Sequence, residues 1–183
     1  IQIFTRQPEG VSVTAEVGSF DLRRTSLSMG GGDKTKYKLT AGHEKTSGFS
    51  NIDTKGTVDE DADGYEEQSL NVSINHSLDN GWVIGGIGTV VDATSEFDSG
   101  GDDYTDSINQ ALIGSASGAL SSQLNASIEI GQYKDERDTF GSNESFFNTE
   151  RVSVLGQIDY LFAKNHTMTA GYDYYDDRVD SST

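Results

Sequence analysis

The chain contains no cysteine and a single proline, so neither a disulfide framework nor a Cys-based metal or redox site is available to it. A cysteine-free chain suits an exported bacterial protein. Basic residues are scarce, 13 against 30 acidic ones, and the formal charge of -17 excludes a phosphate-binding surface and hence nucleic acid as partner. Apolar residues reach only 33%, too few for a rich soluble core, though enough for strands that are apolar on one face. Nothing approaches the run of about 20 apolar residues that a membrane-spanning helix needs. No leader-like stretch opens the chain, which excludes nothing, because an exported protein loses one.

What is present is period two. Val11, Val13, Ala15 and Val17 alternate with Ser12, Thr14 and Glu16. Leu70, Val72 and Ile74 alternate with Ser69, Asn71 and Ser73, and Leu124, Ala126, Ile128 and Ile130 with Asn125, Ser127 and Glu129. Tyr37 to Ala41, Val152 to Phe162 and Met168 to Tyr174 repeat the pattern. Such alternation predicts half-covered strands, and no stretch carries a helical period. About nine strands are expected, over 10–18, 22–30, 36–46, 67–78, 82–93, 106–118, 123–135, 149–162 and 166–177. A single proline suits long unbroken ladders.

The connections predict a sorting. Tight turns fall at Gly30–Lys34, Asp79–Gly81, Leu120–Gln123 and Ala163–Asn165, and long polar loops near 46–66, 94–105 and 136–148. Short turns on one side and long loops on the other, with Trp82, Tyr160 and Phe162 beside the short turns, suggest an all-β, antiparallel transmembrane β-barrel with an aromatic girdle. Nine strands is an odd number, whereas a bacterial single-chain barrel closes with an even one, so the chain is expected to be part of a larger barrel.

No catalytic constellation is present. His43, His76 and His166 fall on separate expected strands, and Gly30–Gly31–Gly32 reads as a turn. A transporter, not an enzyme, is expected. The acidic stretches, at Asp53 to Glu67, Glu96 to Asp106, Asp135 to Glu150 and Asp173 to Asp180, are either solvated loops or loops that hold divalent cations. Asp59-Glu60-Asp61-Ala62-Asp63-Gly64 resembles the start of a calcium loop, because hard cations want several oxygens and glycine permits the sharp turn. An EF-hand would need a carboxylate where Leu70 stands, so it is not one. Asp92 and Asp98 stand where the next loop is expected to begin.

Several short motifs, in order, resemble the vitamin B12 (cobalamin) receptor branch of the TonB-dependent outer-membrane transporters. Ile1-Gln2-Ile3-Phe4-Thr5-Arg6 resembles the last plug strand of that family, roughly GGVVNIITTR, and Gln7-Pro8-Glu9-Gly10 resembles the link into the barrel. Gly32-Asp33-Lys34-Thr35 matches its first periplasmic turn, while Thr46-Ser47-Gly48-Phe49 resembles its THGY and Asp61-Ala62-Asp63-Gly64-Tyr65 its DNDGF. Asp92 and Asp98 keep the spacing of its DNRTNYD. One position departs: Ser50 stands where the family has Asp, with Asp53 three residues on.

The resemblance implies a barrel of about 22 strands, in which 1–6 end the plug, 7–10 link and 11–183 begin the barrel. It implies a bacterial outer-membrane import receptor for cobalamin or a related corrinoid. Its partners would be a TonB complex acting through the plug and the outer-membrane lipid. Calcium would be held by Asp61, Asp63, Asp92 and Asp98, with Asp53 and Asp59 as further candidates. The competing expectations are a siderophore or haem receptor, a small passive outer-membrane barrel, and a secreted calcium-binding β-sandwich adhesin.

Overall fold

A computed structural model of the chain describes residues 9–50, 62–98 and 102–182. Within them, nine strands form one antiparallel sheet in chain order: β1 (Gly10–Val17), β2 (Arg23–Gly31), β3 (Thr35–Thr46), β4 (Tyr65–Ser77), β5 (Val83–Asp98), β6 (Asp102–Ala119), β7 (Leu124–Phe140), β8 (Ser145–Ala163) and β9 (His166–Ser181). Each expected strand is found, and every neighbour in sequence is a neighbour in the sheet. The proposed last plug strand, 1–6, lies outside the described residues.

Several strands run further than their apolar alternation. β5 reaches Asp98, β6 starts at Asp102, β7 reaches Phe140 and β8 starts at Ser145. Most of the loops expected at 94–105 and 136–148 is therefore ladder, in which Thr94 pairs with Asp106 and Asp138 with Phe146. The ladder is a backbone structure and needs no apolar side chain, so strand ends in which charged residues break the alternation escape a search for it. Of the expected long loops, only the β3–β4 connection stays long. The short turns sit where expected, and Trp82 closes one of them, donating its indole N–H to the Ala119 carbonyl at 3.1 Å.

Register assigns each side chain to a face. One face is polar: Glu16 lies opposite Arg24, Arg24 opposite Glu44, and Glu44 opposite Glu67. The other is apolar, and its apolar belt crosses the ladder obliquely. One row begins Val13, Leu27, Ala41, Leu70 and Val90, then continues Gln110, Lys134, Glu150 and Arg178. On β8 and β9 the belt lies lower, at Val152, Val154, Ile158, Tyr172 and Tyr174. The strands are thus inclined to the belt.

No second layer covers either face among the described residues. Ala93, 8% exposed, is the one buried apolar residue there, while Val13, Leu112 and Tyr172 are 75%, 66% and 66% exposed. A β-sandwich buries the facing sides of two sheets, and one sheet alone does not make one.

The sheet is also open, which corrects the barrel expectation. Among the described residues β1 pairs only with β2 and β9 only with β8, so the ends do not meet. Closure requires that pairing, and an open edge in hydrocarbon leaves a row of unsatisfied N–H and C=O groups costing several kcal/mol each. The described chain is an open antiparallel sheet. It is not a closed transmembrane barrel, small and passive or otherwise, and the assignment to the bacterial outer membrane falls with it. No described helix is long and apolar enough to cross a membrane, a statement that concerns helices alone.

Candidate functional site

The end of the sheet opposite the short turns gathers an aromatic and acidic cleft. It begins at the β1–β2 turn, Ser19-Phe20-Asp21-Leu22, closed by the Leu22 N–H donating to the Ser19 carbonyl at 3.2 Å. Phe20 and Asp21 both have positive φ, 58° and 54°. This is the backbone twist that suits a two-residue hairpin, usually supplied by Asn-Gly, and a bulky residue adopts it only under constraint. The constraint comes from β3. The Phe20 carbonyl accepts from the Ser47 N–H at 2.9 Å and from the Thr46 hydroxyl at 2.8 Å.

Held in this way, the Phe20 ring packs against Phe49, with centroids 5.3 Å apart and planes tilted by 43°. Both rings are exposed, where a turn would ordinarily carry polar groups. Gly48 (φ 64°) permits the chain to pass close to the next connection, since a Cβ there would overlap the Asp63 carbonyl. The Gly64 N–H donates to the Glu96 carboxylate at 2.8 Å, and the Glu96 N–H returns to the Gly64 carbonyl at 2.9 Å. The Ser50 hydroxyl donates to Asp98 at 3.3 Å. Phe20, Thr46, Gly48, Phe49, Asp63, Glu96, Phe97 and Asp98 line a cleft of about 420 Å³.

Charged ladders flank the cleft. On the polar face Arg24 donates to Glu44 at 2.7 Å and to Glu16 at 2.9 Å, and its guanidinium holds the Glu44 carboxyl below the usual range. The Tyr65 hydroxyl donates to Glu67 at 2.6 Å, and that bond together with burial pushes its pKa up to about 12. On the opposite face Glu66 accepts from Lys45 at 2.6 Å and meets His43 at 3.0 Å, and both bonds lower its pKa.

The structure brings together two of the aspartates expected to bind calcium. Asp63 and Asp98 line the same cleft. Asp92 sits on β5 opposite Gln68 and Ile108, six residues before Asp98, a span of about 20 Å along an extended strand. One ion with oxygen ligands at roughly 2.3–2.6 Å cannot touch both. Asp53, Asp59 and Asp61 lie outside the described residues. Among the described residues no three His, Cys, Asp or Glu side chains form a group that could hold a metal ion. Phe20, Phe49 and Glu96 were not expected in a site. The Gly-Ser before Phe20 and the Asp after it signal a turn, but its docking on β3 depends on a contact that no local pattern shows.

No protein-family model matches the chain, and no curated protein matches it. Its structure is similar to the crystal structure of the siderophore receptor PiuA from Acinetobacter baumannii, with a TM-score of 0.78 at 11% sequence identity. The likeness is one of fold. It covers 96% of this chain and 31% of the receptor, so the chain spans under a third of that protein's length. The resemblance to the cobalamin-receptor branch is corrected by these findings. Its motifs are short, no family model supports them, and the likeness to a solved receptor is one of fold alone.

Proposed function

We propose that this sheet is a ligand-facing wall of a receptor for an iron chelate, a siderophore or haem, with its β1 and β9 edges completed by further strands. The observation that carries the reading is the likeness of nearly the whole sheet to part of a siderophore receptor. Two features support it. The sheet is two-faced, polar on one side and apolar on the other, and an exposed apolar face of this size requires a cover. The exposed Phe20–Phe49 pair also offers flat apolar surface at the rim, beside Asp63, Glu96 and Asp98.

Ligand capture needs no covalent chemistry, and the proposal assigns none. It includes a TonB-type energising partner that acts through a plug, and a calcium ion that orders the connections bearing Asp63 and Asp98. The test is calorimetric titration of the full polypeptide with a panel of ferric siderophores, haemin and cyanocobalamin. The proposal expects saturable binding of an iron chelate, weakened by Phe49→Ala. Binding of cyanocobalamin alone, or of none of them, overturns it.

A further inference from the structure

A second concavity lies away from the rim, on the polar face across β6–β9, with a volume of about 680 Å³. Register places Tyr133 opposite Arg151 and Arg151 opposite Asp177, and in the next row Gly131 opposite Ser153 and Ser153 opposite Tyr175. Asn109, Glu129, Tyr133, Ser153 and Tyr175 all contribute to its wall.

The site is prepared by fixed polar groups. Arg151 makes a two-pronged bond to Asp177, at 2.6 and 2.7 Å, and lies over the Tyr175 ring at 5.3 Å from its centroid. Arg137 grips Asp135 in the same two-pronged way, at 3.1 and 3.0 Å. These pairs neutralise their own charges, so neither offers a free charge to an ionic ligand. The Ser153 hydroxyl is 2% exposed and has no hydrogen-bond partner. A buried hydroxyl left unpaired costs about 1–3 kcal/mol, so such a group calls for an explanation. Tyr133 folds back over Gly131, and a Cβ at Gly131 would stand 2.9 Å from both that ring and the Ser153 oxygen. The ring and the hydroxyl therefore share the space above Gly131, and access of a ligand to Ser153 requires the ring to shift.

We propose that this concavity binds a neutral polyhydroxylated ligand, a saccharide. Tyrosine rings present flat apolar faces to the C–H surface of a sugar. Asn109 and Ser153 both donate and accept, and the Glu129 carboxylate accepts from hydroxyl groups. An anion would meet Glu129, with Arg151 and Arg137 already paired and with Lys134 and Arg178, which also line the cavity, assigned by register to the opposite face; a cation would meet Arg151. A ligand hydroxyl that reaches Ser153 satisfies a buried hydroxyl that has no hydrogen-bond partner among the described residues. The inference does not rest on the iron-chelate reading, and failure of chelate binding leaves it standing.

The test is calorimetry and saturation-transfer NMR on the full polypeptide with maltose, cellobiose and lactose, set beside glucuronic acid and glucosamine. A neutral disaccharide binds, and Ser153→Ala and Tyr175→Ala each weaken it by about tenfold or more with an unchanged far-ultraviolet spectrum. Ser153→Ala removes an unpaired group and so retains the fold, which keeps the test valid if Tyr175→Ala misfolds. Absence of saccharide binding, preference for either charged sugar, or binding unchanged by Ser153→Ala overturns the proposal.

Discussion

Thr46 donates its hydroxyl to the Phe20 carbonyl at 2.8 Å, tying the end of β3 to a turn whose two central residues both sit at positive φ. The bond is one of two that hold the carbonyl of a strained residue. Thr46→Val removes it while keeping the shape of the side chain. The expected loss is about 1 kcal/mol of stability, read as a lower urea midpoint with an unchanged slope. Asp21→Gly acts in the opposite sense. A left-handed residue without a Cβ is relieved of a cost of about 1 kcal/mol, so the midpoint rises.

Tyr65 supplies a pH test. Its phenol is raised to about 12 by the bond to Glu67. A raised pKa stabilises the fold fully below the unfolded value near 10, and the contribution is lost as pH climbs through the folded value. Phenolate absorbance is expected to show one tyrosine ionising late, and Tyr65→Phe deletes that step. Glu67→Gln removes the negative charge and moves the step back toward the ordinary value.

Glu66 works at the acid end. Lys45 first and His43 second depress its pKa below the ordinary glutamate value. Its stabilisation is present above the unfolded pKa and is lost as pH falls through the folded one. Acid titration of the melting temperature should therefore show a smaller fall below that value for Glu66→Gln than for the parent chain. Because the group is exposed, added salt shrinks the difference.

Gly131 tests the packing of the polar face. Gly131→Ala places a methyl against the Ser153 oxygen and the Tyr133 ring, both at 2.9 Å. Overpacking of this kind costs about 1–3 kcal/mol, and the double change Gly131→Ala with Tyr133→Ala should recover part of it.

Calcium is tested by heat. With the ion bound to the folded form alone, added calcium raises the melting temperature. Asp63→Asn and Asp98→Asn should each reduce that rise, while Asp92→Asn, about 20 Å from Asp98 along β5, should leave it intact. A rise that survives both rim substitutions removes calcium from the proposal.

Much of this fold was legible in the alternation of residues such as Val11, Val13 and Ala15 with Ser12 and Thr14, because a half-covered strand must sort its side chains by face. All nine strands and their order follow from it. The alternation is silent where charged and aromatic residues break it, as at Thr94–Asp98, Asp102–Asp106, Glu136–Phe140 and Ser145–Asn148, and there the ladder runs into what the sequence presents as loop. Closure was not legible either. It depends on whether β1 meets β9, and no property of Val13 or Tyr174 records which strand lies beyond it. The cleft was half visible, since Asp63 and Asp98 advertise themselves as carboxylates. Phe20 carries no signal in the sequence and Phe49 stands there only at the end of a short motif; what joins them is the docking of the turn on β3.

The most direct test of the open sheet uses the absence of cysteine from these 183 residues. Val13→Cys with Leu27→Cys places thiols on directly opposed residues of β1 and β2, and this pair serves as the positive control for oxidative cross-linking. Val13→Cys with Tyr174→Cys places them on the two edge strands. The account predicts that the first pair cross-links and the second does not in the full polypeptide, because β1 and β9 do not pair. Efficient cross-linking of the second pair at low protein concentration would show that the nine strands close on themselves, and would contradict it.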